Sequence, residues 1–141
     1  MKKQKICIIG GGLTGLITAV TLGKLNLQID LITGNLDKDL KTNKTIAISE
    51  NNLNFLKKLK IFKFTKNEFW PCSGMKLYSQ DKEKFTKIFE FKNSVEQKKI
   101  LYMARNANIM KSIIKNIKKN NLIFFKKNKL VSGINSSGLL K

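Results

Sequence analysis

Residues 6–23, ICIIGGGLTGLITAVTLG, form an uncharged run that follows the basic start MKKQK and falls into two unlike halves. KICII (residues 5–9) is rich in β-formers, whereas residues 13–25 suit a helix, and three consecutive glycines separate them. A second apolar strand, QIDLIT, covers residues 28–33. Strand, glycine turn, helix and strand in that order predict a βαβ unit. A polar connection follows over residues 35–43, then a short strand over 45–48. Ser49 is placed to cap a helix over 50–59, with Leu53, Leu56 and Leu59 on one face. Residues 62–91 read as strand-like, broken at Trp70-Pro71, with the charged turn QDKEK linking GMKLYS to FTKIFEF as a β-hairpin. One buried and one solvated face is the expectation for it. Residues 100–105 read as extended. Asn106 or Asn108 then caps a helix whose Ile109, Ile113, Ile114 and Ile117 make an apolar stripe. LIFFK (122–126) suits a buried parallel strand, and KLVSGI begins another.

The basic start and the uncharged run also outline a signal peptide or short membrane anchor. The glycines argue against that, since each costs about 1 kcal/mol at a helix position. No small-residue cleavage site precedes the return of charge at Lys24.

Length and charge change the picture less than they first suggest. A chain of 141 residues is sized for one domain. A net charge of +19 invites a nucleic-acid or anionic-membrane reading. Yet the lysines are scattered over the whole chain, as a compositional bias would leave them, and no specific nucleic acid is expected. Aromatics alternating with lysines in residues 62–91 could mimic a stacking platform, but two faces of one sheet explain them as well. The chain has no histidine, which excludes an imidazole base, a Ser-His or Cys-His pair and a His-ligated metal. Cys7 and Cys72 lie in unrelated contexts, so reduced thiols and a cytoplasmic protein are the default.

Gly10, Gly12 and Gly15 fit G-x-G-x-x-G in full strand–turn–helix context. Gly10 serves the tight turn, Gly12 the approach of a pyrophosphate, and Gly15, with Ala19 one turn on, close helix packing. Gly11, Leu13 and Thr14 complete the loop over which unpaired helix N–H groups favour the anion. The acidic residue expected at the end of the second strand is replaced by Thr33, which can accept one hydrogen bond without charge assistance. Asp30 lies three residues too early and alternates to the other face.

Four blocks together resemble the flavin-dependent aromatic hydroxylases, especially the branch of ubiquinone biosynthesis. KICIIGGGLTGLITAVTLGKLNLQIDLIT looks like their FAD-binding βαβ unit, and NKTIAISENNLNFLKKLKIF is similar to their R-T-x-A-L-S block. FWPCSGMKLYS resembles the first excursion into the substrate domain. YMARNANIMKSIIKNI resembles the block in which an aromatic and an arginine precede a helix. The resemblance implies an α/β, Rossmann-like FAD-binding domain over residues 1–141, incomplete, with a β-hairpin from the substrate domain inserted at about 65–95. It implies FAD as cofactor, NAD(P)H as electron donor, and an aromatic or prenylated phenol as substrate of a completed enzyme. It places Lys44 where the family carries an arginine near the flavin-side phosphates and ribityl, and Thr33 where it carries a glutamate on the ribose. Arg105 and Val131 join the cofactor-binding set.

Arg105 is the sole arginine among 28 basic residues, and its planar fork is not copied by an ammonium. Chance placement and a structural ion pair are its alternatives. The chain ends soon after SSG, and the later Gly-Asp segment of the family is absent. The expectation is therefore the opening third of a monooxygenase, inactive alone, with apolar edges uncovered. The rival readings are a stand-alone FAD or NAD(P) module without turnover, and a basic nucleic-acid or membrane-surface protein. Peripheral association with a membrane fits both the charge and a quinone enzyme.

Overall fold

A computed structural model describes residues 4–61, 68–92, 99–127 and 129. In chain order the first elements are β1 (Lys5–Ile9), α1 (Leu13–Gly23), β2 (Gln28–Ile32), α2 (Asp37–Lys41), β3 (Thr45–Ser49) and α3 (Glu50–Lys58). There follow β4 (Phe69–Cys72), β5 (Gly74–Asp81), β6 (Lys84–Lys92), β7 (Leu101–Arg105), α4 (Asn106–Ile117) and β8 (Ile123–Lys126). The chain divides into two compact units, Met1–Thr42 with Met110–Lys141, and Asn43–Ile109.

The first unit is the βαβ nucleus. Its sheet is parallel in the order β1-β2-β8, with Ile6 opposite Ile29 and Ile29 opposite Ile123. Parallel neighbours need a crossover, and α1 supplies the one between β1 and β2. Leu16 and Ala19 of α1 and Ile29 and Leu31 of β2 lose all contact with solvent and form part of the unit's core. Gly23 closes α1 against β8: a side chain there would meet Asn120 Nδ2 at 3.0 Å and Ile123 Cδ1 at 3.1 Å. The chain then turns back through Asn26 in the left-handed region, φ 60°. The polar connection of residues 35–43 contains the short helix α2, opened by the Asn35 Oδ1 acceptor for the Asp37 N–H at 2.8 Å.

β8 is parallel as expected, but among the described residues it is an edge strand with β2 as its partner, and Phe124 is exposed. β1 also lies at an edge of the described sheet, and Ile9 is half exposed. The continuous apolar runs of both strands would suit burial on two sides. The strand expected in KLVSGI, and with it Val131, lies outside the described residues.

The second unit is antiparallel, in the order β3-β7-β4. Ser49 caps α3 as its position suggested, its Oγ accepting the Asn52 N–H at 3.3 Å. Leu53, Leu56 and Leu59 are buried. The helix α4 takes in Asn106 as its first residue; of its buried isoleucine stripe, Ile109 belongs to this unit and Ile113, Ile114 and Ile117 to the first. Trp70-Pro71 does not break the extended run: both lie within β4, with Pro71 opposite Tyr102. Among the described residues β4 is an edge strand, where a missing N–H can face away from the ladder.

The hairpin falls within the span expected for it, as the separate two-stranded sheet β5-β6. Asp81 pairs with Lys84 across a turn that puts Lys82 at φ 52°. A bulge between Leu77 and Tyr78 shifts the register. Met75 faces Phe91 and Leu77 faces Phe89 on one side, while Lys76 faces Glu90 on the other. The expectation of one buried face is corrected here, because β5 is exposed throughout and β6 nearly so. A two-stranded ribbon has no second layer of its own.

Candidate nucleotide site

The end of β1 turns through Gly10 at φ 125°, a conformation that side-chain-bearing residues avoid, and the Gly10 N–H is anchored on the Ile32 carbonyl at 2.9 Å. The turn therefore starts from a fixed point on β2. A Cβ at Gly15 would sit on the Gly10 carbonyl (oxygen at 2.2 Å, carbon at 3.1 Å), so the first turn of α1 packs directly against the glycine turn. Gly12 differs in kind. It is the extended N-cap residue of α1, and a Cβ there would meet nothing within 4 Å. Gly15 is glycine for packing, Gly10 for conformation, and Gly12 leaves open the approach to the helix end.

That helix end carries no side-chain cap and no acidic residue in its first turn. Leu16 makes the first helical bond, to the Gly12 carbonyl at 3.0 Å. The amides before it, those of Leu13, Thr14 and Gly15, face the end of the helix dipole that favours anions. A diphosphate suits this chemistry: it needs several N–H donors and close backbone approach, and both are present.

Gly11 has a role that motif reasoning leaves blank. A Cβ there would lie 2.4 Å from Leu36 Cδ2 and 3.0 Å from the Cβ and Cγ2 of Thr33. The loop is thus laid onto the end of β2, with Thr33 and Leu36 as its floor. The signal was the third glycine of GGG, beyond the two the motif requires in that stretch. Thr33 is 1% exposed, and among the described residues its Oγ1 has no hydrogen-bond partner. Its backbone continues the sheet, donating to the Lys126 carbonyl at 3.0 Å and accepting from the Lys129 N–H at 2.9 Å. The acceptor role expected of Thr33 is therefore unused within the protein. Asp30 is held apart from this end: its Oδ2 lies 3.0 Å from Lys5 Nζ and 3.3 Å from Lys126 Nζ. The hydrogen bond from Lys5 lowers its pKa most; burial opposes it, and the hydrogen bond from Lys126 adds to the lowering.

Lys44 and Arg105 are neighbours in the second unit. Arg105 stands opposite Thr45, and the Lys44 carbonyl accepts the Asn106 N–H at 2.9 Å. Both side chains are exposed. Among the described residues Arg105 makes no ion pair. The glycine loop and Thr33 are gathered in one unit, Lys44 and Arg105 in the other.

Among the described residues no group of His, Cys, Asp and Glu could hold a metal ion. No helix among them is long and apolar enough to cross a membrane.

No family model matches the sequence, and no curated protein matches it. Solved structures do. The fold is similar to that of p-nitrophenol 4-monooxygenase from Pseudomonas putida DLL-E4, with a TM-score of 0.67 and 17% identity over 94% of this chain. It is similar to 2-methyl-3-hydroxypyridine-5-carboxylic acid oxygenase (TM-score 0.67, 13% identity, 91% of this chain). It is also similar to 2,6-dihydroxypyridine-3-hydroxylase from Arthrobacter nicotinovorans (TM-score 0.67, 12% identity, 95% of this chain). The chain spans about a third of each, namely 34%, 32% and 31% of their lengths. At these identities the likeness is one of fold.

Proposed function

We propose that this chain is the nucleotide-binding part of an FAD-dependent hydroxylase of aromatic rings. The observation that carries the reading is the turn at Gly10–Gly15, where conformation, packing and open approach each fall on the glycine that a pyrophosphate site requires. The fold likeness to three ring oxygenases supports it from a second side. FAD is preferred over a nicotinamide dinucleotide because the sequence blocks beyond the glycine loop resemble those of flavin enzymes.

In this reading the amides of Leu13, Thr14 and Gly15 hold the pyrophosphate, and Gly10, Gly11 and Gly12 let it approach. Thr33 meets the adenosine ribose. Lys44, Arg105 and Val131 serve the flavin half, Arg105 by a two-pronged contact to phosphate or ribityl oxygens. When bound, FAD supplies the redox chemistry, taking electrons from NAD(P)H and activating O₂. The chain itself binds, orients and screens. The buried aliphatic residues of α1 and β2, Leu16, Ala19, Ile29 and Leu31, serve the screening, since water at such a site wastes the activated oxygen. Because the chain spans a third of its structural neighbours, turnover belongs to the longer architecture. The finer assignment, hydroxylation of a prenylated phenol in ubiquinone biosynthesis by a cytoplasmic enzyme peripheral to a membrane, rests on the sequence blocks alone.

The test is direct. Purified chain titrated into FAD should quench flavin fluorescence saturably, and Arg105→Lys should weaken the titration by about tenfold, the loss of roughly one charge-assisted hydrogen bond. Protein that stays colourless and quenches nothing refutes the flavin reading; unchanged affinity in Arg105→Lys removes Arg105 from the site.

A further inference from the structure

Resting on the dinucleotide reading, we infer that the ribose end of this site accepts an adenosine ribose that carries a phosphate, as readily as one with a free diol. Dinucleotide sites that select the free diol place a carboxylate at the end of the second strand, where it accepts the ribose hydroxyls and repels a phosphate monoester. Here that place belongs to Thr33, which is neutral, 1% exposed and unpartnered at Oγ1 among the described residues. It is joined to the glycine loop through Gly11, whose Cβ position lies 3.0 Å from its own Cβ. The hydroxyl can donate to a phosphate oxygen as well as accept from a ribose hydroxyl, a versatility that a carboxylate lacks.

The surrounding charges favour the more anionic ligand. Asp30, the acid on β2, lies an odd number of residues from Thr33, hence on the opposite face, and is shared by Lys5 at 3.0 Å and Lys126 at 3.3 Å. Lys129 is exposed and is held to this end of the strand by its N–H bond to the Thr33 carbonyl at 2.9 Å. Lys38 and Lys41 of α2 offset Asp37 and Asp39 of the same helix. Among the described residues no carboxylate accepts a hydrogen bond from the Thr33 hydroxyl.

Calorimetric titration tests this with ADP and with 2′-phospho-ADP, the 5′-diphosphate being common to both. The wild-type chain should bind 2′-phospho-ADP within about threefold of ADP or more tightly. Thr33→Glu should cost 2′-phospho-ADP at least tenfold relative to ADP, a penalty expected of a carboxylate beside a dianion. ADP bound with 2′-phospho-ADP tenfold weaker in the wild type overturns the inference and leaves the dinucleotide reading standing. Neither ADP nor FAD bound overturns both. Should Thr33→Glu fail to fold by circular dichroism, Lys129→Ala decides: it should weaken 2′-phospho-ADP more than ADP, and an unchanged ratio refutes the proposal.

Discussion

β2 and the β5–β6 hairpin carry the same kind of alternating apolar sequence and end in opposite states. In β2, Ile29 and Leu31 are fully buried; in the hairpin, Leu77 and Phe89, directly opposite one another, are each at least half exposed. Alternation reports that one face of a strand is apolar; the covering layer decides whether that face is worth anything. β2 has α1 over it and strands on both sides, so each buried aliphatic contributes about 1.5–3 kcal/mol. Among the described residues the hairpin has neither, so Met75, Leu77, Phe89 and Phe91 contribute to a patch of the kind that marks an interface or an aggregation liability.

Truncating the two regions in parallel should break the symmetry of their sequences most visibly. Leu31→Ala should destabilise the chain by about 2–5 kcal/mol, through lost transfer energy and the cavity left behind. Leu77→Ala should stay within about 0.5 kcal/mol, as surface changes do. Urea midpoints at matched slope measure both. A Leu77→Ala loss comparable to that of Leu31→Ala would mean that the hairpin face is covered in solution.

The glycines offer a sharper contrast inside the buried region. Gly15→Ala pushes a methyl onto the Gly10 carbonyl, and that backbone cannot swing aside as a side chain would. A loss of about 1–3 kcal/mol is expected, against the small gain alanine normally brings to a helix. Gly12→Ala meets no protein atom and should leave the urea midpoint within about 0.5 kcal/mol. Its effect should fall on FAD binding instead, at least tenfold by fluorescence quenching. If Gly12→Ala destabilises the chain but binds FAD normally, Gly12 is a folding residue and the site is misread.

These contrasts mark how far the sequence was legible. The order strand, glycine turn, helix, strand could be read because each element has its own period and its own punctuation at Gly10–Gly12. Ser49 as a cap and the isoleucine stripe of α4 were legible for the same local reason. What could not be read was anything set by a distant partner. Pro71 looks like a breaker until β7 makes β4 an edge strand. Phe124 looks buried until β8 proves to have one described neighbour. At the site, Thr33 could be named from its position in QIDLIT, but its burial beneath Gly11 depends on a loop meeting a strand more than twenty residues away. Alternation alone left the hairpin's missing cover invisible.

The smallest expected effect concerns the polar face of the hairpin, which is better organised than its apolar one. Glu90 lies 2.7 Å from Lys87, 3.0 Å from Lys92 and 3.8 Å from Lys76, three ammonium groups around one carboxylate. The hydrogen bond from Lys87, then that from Lys92, bring its pKa down to about 2 from the usual 4.5. A depressed carboxylate pKa stabilises the folded form above the unfolded value and loses that contribution as pH falls through the folded value. Glu90→Gln should therefore lower the urea midpoint slightly at pH 7, and the difference from wild type should shrink from pH 4.5 downward and vanish near pH 2. Because the cluster faces water, added salt should shrink it as well. Carboxyl-carbon NMR titration of Glu90 reads the same quantity at the atom. A midpoint near 4.5 there would mean that the lysines only pass by, and that the hairpin is as loosely held on its charged face as on its apolar one.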